Sequence, residues 1–282
     1  VTQPADQGDT GKIIAGATLG LALIAVETRV RQEVDDDIQA ALQGIADVAV
    51  VTASTAPASV ITGVGLLSLA SLSQAITHNL AAARESVAAS IQAGYAAAAQ
   101  VALIKLTADL QHEGYDVPSV LPELGDTIDV ILRDVDTMFG HAQTDLQNAI
   151  AAAFDGIQGP DAQSARLLAI KQAVTMAGAR LANRAAAAAG TAVQQGATDA
   201  QQAIYSEFQS RIGIPGLMKR WVVTSITPCG MCAALDGTMV GINAQFDHNA
   251  TVSEKDYRPV WRNLLAPPRH PNCRCQVELV KT

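Results

Sequence analysis

Between Asp161 and Ile212, apolar residues return at steps of three and four: Leu167, Ile170, Val174, Ala177, Leu181, Ala185, Ala188 and Ala192. That period places them on one face of a helix, so the segment predicts one long helical region. The small side chains on the stripe let a partner helix approach closely, as in a packing seam. Gly178, Gly190 and Gly196 each lower helix propensity by ~1 kcal/mol relative to Ala, so a kink is expected among them. Ile214-Pro215-Gly216 ends the pattern.

Composition extends this expectation to most of the chain. Hydrophobic residues make up 49% of the 282, yet only 4% are aromatic. The apolar content is therefore mostly Ala, Leu, Val and Ile, and alanine runs such as Ala185 through Ala189 favour helix over strand. Closely packed helices with thin seams follow: a mainly α fold. Further helices are predicted over Ile13–Gln43, Val60–His78, Ala81–Glu113 and Leu124–Phe154, with connectors at Tyr115–Pro122 and Asp155–Pro160. The polar first nine residues read as an arm.

Val48–Thr77 carries no charge, and Val60–Ile76 is its most apolar part. Its length approaches that of a membrane span, but Pro57 breaks its start and Ser, Thr and Gln are scattered through it. A buried helix of a soluble assembly is the favoured reading, and a membrane-active helical protein is the alternative. Asp6 and Asp9 ahead of the apolar Ile13–Val26 make a poor signal-peptide start.

The last 67 residues differ from the rest. Lys219–Ser225, Thr238–Val240 and Cys275–Lys281 are short and β-rich, and Asp236-Gly237 signals a turn before the second of them. The expected organisation is a helical region over 1–158, a long helical segment over 159–215, and a small α+β Cys/His module over 216–282. Charge divides the same way: from Gly216 onward the balance is +3, against −11 before it, for a net −8. Bulk attraction to nucleic acid is therefore not expected; the basic end permits a phosphate contact, and ordinary solvated charge is the simpler account.

All four cysteines fall in this module, as Cys229-x-x-Cys232 and within His270-Pro271-Asn272-Cys273-Arg274-Cys275. A loop carrying C-x-x-C can present two thiolates to a tetrahedral metal, and a second loop with two more ligands closes a structural Zn²⁺ site. Two sets are possible: Cys229, Cys232, Cys273 and Cys275, or the same with His270 replacing Cys275. Two disulfides, or free thiols with His270 bonded to a carbonyl, remain open. An enzyme would need a Cys nucleophile with His270 or His248 as base, and no motif of nucleophile, base and orienting group is present.

Arg180 and Arg184 on the long helix, Lys219-Arg220-Trp221, Cys229-x-x-Cys232, Leu235-Asp236-Gly237 and Pro267-Pro268-Arg269-His270-Pro271-Asn272-Cys273-Arg274-Cys275 occur in that order. Together they resemble the C-terminal signature of the phage Mu F-like, or head morphogenesis, family, over roughly Asp161 to Val280. The resemblance implies a minor capsid protein of the virion, not an enzyme. It would act at the portal vertex or capsid interior, contact portal or major capsid protein, lie near packaged DNA and be ejected with it. It also implies metal ligation among Cys229, Cys232, His270, Cys273 and Cys275. The Tyr257–Ala266 insert and the Ala-rich N-terminal half depart from the family pattern. Trp261 with Arg258 and Arg262 could anchor a partner. Arg269 and Arg274 would touch phosphate or a portal carboxylate, or stay solvated, and Trp221 would pack on the cysteine cluster or the long helix.

Overall fold

A computed structural model of the chain describes residues 17–55, 64–115, 127–157, 162–213, 215–246, 265–268, 270 and 273–282. Four long helices come first: α1 (Ala17–Thr55), α2 (Val64–His112), α3 (Thr127–Gly156) and α4 (Ala162–Ile212). They are followed by β1 (Leu217–Val222), the short α5 (Gly230–Ala233), β2 (Met239–Gly241) and β3 (Gln276–Lys281). The fold is mainly helical with a small strand-containing end, as the composition predicts.

Several features differ from expectation. Helix α1, expected to end at Gln43, runs on to Thr55. The helices expected over Val60–His78 and Ala81–Glu113 are one, because Asn79 and Leu80 continue the helix. Asn79 Nδ2 donates back to the Ala75 carbonyl at 2.8 Å, and Leu80 is buried. The glycines expected to kink α4 do not interrupt it, and two of them serve close approach: a Cβ on Gly178 would lie 2.2 Å from Leu42 Cδ1. A Cβ on Gly196 would lie 2.2 Å from the Tyr95 carbonyl oxygen, so no larger residue fits that crossing.

The chain forms two compact units, each drawing on separated parts of the sequence. One comprises Arg29–Gln92 and Asp129–Ala189, so it consists of segments of all four long helices. Val34, Ile38, Ile45, Leu72, Ile76, Val87, Val135 and Leu181 are buried in it. Polar bonds decorate its seams: Ser86 Oγ to Asp37 at 2.7 Å, and Gln147 Nε2 to Ser73 Oγ at 3.1 Å. By length and composition Ala70–His112 is apolar enough to cross a membrane. Leu72, Ile76, Leu80 and Ile91, however, are turned into the protein core.

The other unit takes α1 up to Thr28, α2 from Ala93, α4 from Gly190 and the entire C-terminal module. Its helices meet at Tyr95, whose hydroxyl donates to Asp199 at 2.6 Å. The module is a three-stranded antiparallel sheet of order β2-β1-β3. Lys219 opposes Val240 on one side and Leu279 on the other, while Trp221 opposes Val277. Side chains alternate across a strand, so Lys219 and Trp221 share one face, and both are fully buried. That face packs with Ile204, Tyr205 and Phe208 of α4 and with Cys232, Cys273 and Cys275 in one apolar cluster. Arg220 and Glu278, directly opposed, form a 2.5 Å ion pair.

Candidate metal centre

Antiparallel pairing of β1 with β3 runs the end of one strand beside the start of the other. Val222 opposes Gln276, so the loop leaving β1 toward Cys229 lies next to the loop arriving from Cys273 and Cys275. Two hydrogen bonds fix that approach. Thr224 Oγ1 donates to the Arg274 carbonyl at 2.5 Å, and Gln194 Nε2 of α4 to the Cys275 carbonyl at 2.9 Å. The Asp236-Gly237 turn lies beyond the knuckle as predicted. Gly237 takes φ +76°, and its N–H donates to the Trp221 carbonyl at 2.9 Å.

The C-x-x-C segment folds into the single turn of α5 with Cys229 as its N-cap. Cys229 Sγ accepts the Cys232 N–H at 3.4 Å, which turns both sulfurs to the same side. On the other loop, Cys273 N–H donates to the His270 carbonyl at 3.1 Å, which brings the His270 ring back over the site. His270 Nε2 lies 3.1 Å from Cys229 Sγ and 3.2 Å from Cys232 Sγ, and Cys232 Sγ lies 3.7 Å from Cys273 Sγ.

All five candidate residues thus converge, in two overlapping triads that share Cys232. One is Cys229, Cys232 and His270; the other is Cys232, Cys273 and Cys275, and within each every ligand atom is within 4.8 Å of the others. These groups could hold a metal ion. Cys232, Cys273 and Cys275 are buried, whereas Cys229 and His270 are half-exposed, so the site has one open edge. None of the four cysteines is joined in a disulfide, which would need sulfurs about 2.05 Å apart.

Without a cation, crowding and burial keep these thiols protonated. Hydrogen bonding from the Cys273 and Cys275 thiols, followed by burial, pushes the Cys232 thiol well above its ordinary range. Cys275 is drawn down by its hydrogen bond with Cys232. The Cys273 thiol, burial and the nearby Cys273 charge outweigh this, so it is pushed up to about 12. Crowded sulfurs share protons unless a positive charge is among them, and a bound divalent cation reverses that preference. A sulfur separation of 3.7 Å also matches the edge of a tetrahedron with metal–sulfur bonds of about 2.3 Å.

Other expected residues are placed unevenly. Trp221 packs against both the cysteine cluster and α4, as predicted. Arg274 forms a 2.7 Å ion pair with Glu27 of α1, which commits it within its own unit. Arg180 and Arg184 are exposed and border a groove of about 450 Å³ with His141 and Met138. Arg269, His248 and the Arg258–Trp261–Arg262 anchor lie outside the described residues.

In the sequence Lys219 is marked only by the Lys219-Arg220-Trp221 string and the β-rich run it opens, and its burial is not expected. It is wholly buried, its Nζ donating to Gln202 Oε1 at 2.9 Å and lying 5.5 Å from the centre of the Phe246 ring. Burial pulls its pKa down to about 8. Its period-two placement beside Trp221 was the available signal, but a strand lysine ordinarily faces water.

In comparisons with protein-family models, curated proteins and solved structures, nothing matches this chain.

Proposed function

We propose that this chain is a structural minor head protein of a phage, with a zinc-stabilised C-terminal module carried on a helical body. One observation supports this above the others: the loop bearing Cys229 and Cys232 meets the loop bearing His270, Cys273 and Cys275 at the base of α4. Arg180 and Arg184 aside, the described motifs that resemble the head morphogenesis signature lie within one compact unit. Zinc suits the donors, since thiolate and imidazole in tetrahedral arrangement are its preferred structural environment. When bound, the metal would supply the cross-link between β1 and β3 that so small a sheet otherwise lacks.

The role is scaffolding rather than catalytic. The burial of Cys232, Cys273 and Cys275 suits metal ligation better than nucleophilic attack on a substrate. The partners are portal or major capsid protein, with several copies in the virion, placed at the portal vertex or the capsid interior beside DNA. Assembly takes place in the host cytoplasm. The test is mass spectrometry and localised reconstruction of particles made by the phage that encodes the chain. It should be present with density at the portal vertex or inside the shell; complete, infectious particles lacking it would overturn the proposal.

A further inference from the structure

Charge is divided between two neighbouring helices of the four-helix unit. On α1, Glu33–Thr55 carries five acidic residues and no Lys or Arg; on α4, Ala162–Ala189 carries four basic residues and no Asp or Glu. The two segments touch where Leu42 packs against Gly178. They do not neutralise each other, however. No ion pair joins them among the described residues, and Asp35, Asp36, Lys171, Arg180 and Arg184 have no ionic partner there. A groove of about 560 Å³ lies between them, lined by Leu42, Asp47, Val50, Lys171, Val174 and Ala179 among others.

The same face carries apolar side chains that the described residues leave uncovered. Leu168 and Met176 are 59% and 58% exposed, and Val50 is 42% exposed. A lone exposed aliphatic side chain is ordinary. Here Leu168, Gln172, Met176 and Arg180 are spaced by four, so they form one ridge along the outside of α4, beside a groove with apolar walls. A ridge next to such a groove is self-complementary. A second copy can seat its ridge in this groove and receive this ridge in its own.

We infer that a second copy of this chain covers the α1–α4 face, in a closed dimer whose twofold axis runs parallel to the two helices. Helix direction makes the charges meet. The N-terminal end of α1 and the C-terminal end of α4 belong to the same unit, so the two helices run antiparallel. With Leu42 level with Gly178, Asp47 stands within one turn of Lys171 along the bundle, and Asp36 stands level with Arg184. A twofold axis along the helices keeps each level and exchanges the sides, so α1 of one copy lies over α4 of the other. Asp47 then meets Lys171 of the second copy, and Asp36 meets its Arg180–Arg184 turn. Each contact occurs twice, as an isologous interface requires. A polyanion such as nucleic acid suits this face poorly, because Asp36 and Asp47 stand beside the basic residues. All these residues belong to the helical unit, so dimerisation does not depend on the metal centre.

Sedimentation velocity of the full chain over the micromolar range tests this. The parent should sediment as a dimer that dissociates on dilution, and more readily in high salt. Met176→Asp sets a charge on the apolar ridge and should weaken association at least about tenfold. Lys171→Glu alone and Asp47→Lys alone should each weaken it about tenfold, because like charges then face each other across the axis. The two together should restore it, since the exchanged charges meet again. All three side chains are exposed in the single chain, so helical content by circular dichroism should be unchanged in every variant. A parent that stays monomeric throughout the range overturns the dimer. A dimer indifferent to Met176→Asp, or charge reversals that the double variant fails to rescue, overturns this face and its register.

Discussion

The four-helix unit and the C-terminal module solve the same problem by opposite means. In the helical unit, aliphatic side chains such as Ile38, Ile76, Val135 and Leu181 repeat along each seam, so stabilisation is spread over many equivalent contacts. The module has a three-residue strand, two six-residue strands and a single-turn helix. Elements that short are marginal alone, and their core draws on Cys232, Cys273 and Cys275 as much as on Trp221 and Leu279. Distributed packing tolerates the loss of one residue, while a core centred on four sulfurs does not.

The largest expected effect follows from that contrast. Cys232 belongs to both ligand triads, so Cys232→Ser should dismantle the module while the four-helix unit stays folded. Hydrogen exchange would detect this as loss of protection over β1, β2 and β3 with α3 unchanged. Protection retained in β3 would erase the distinction between the two regions. A smaller effect is expected in the helices: Leu181→Ala removes a side chain only 2% exposed and should cost about 2–5 kcal/mol. That loss should lower thermal stability without local unfolding, with circular dichroism as the readout.

The third effect concerns Lys219. Its folded pKa of about 8 lies below the ordinary 10.5, so the unfolded chain binds more protons between those values and stability rises with pH across that window. Below pH 8 the penalty is fully present, about 3 kcal/mol for a shift of this size. Lys219→Met should be at least as stable as the parent near neutral pH and should lose the rise between pH 8 and 10.5 in denaturant titrations. An unaltered rise in the variant would mean that the ammonium is not the group responsible.

How much of this was legible in the sequence depended on periodicity and spacing. The stripe from Leu167 to Ala192 specified α4, and the placement of four cysteines in one segment anticipated their convergence. The continuity of α2 through Asn79 was not legible, because a polar side chain bonding to its own backbone looks like a break. The burial of Lys219 was missed because it depends on Gln202 and Phe246, which are distant in sequence and provide no local signal. The choice between His270 and Cys275 was likewise open in the sequence, since both lie at chelating spacing from Cys273, and the structure brings each to a triad that contains Cys232.

The central claim is that the two cysteine loops close on one metal. Elemental analysis of the full chain, purified without added metal and mass-balanced against protein, tests it most directly. About one zinc per chain is predicted for a single closed tetrahedral site, released together with the module's hydrogen-exchange protection when a chelator is added. A chain free of metal, with β1 and β3 fully protected and all four thiols reactive, would contradict it.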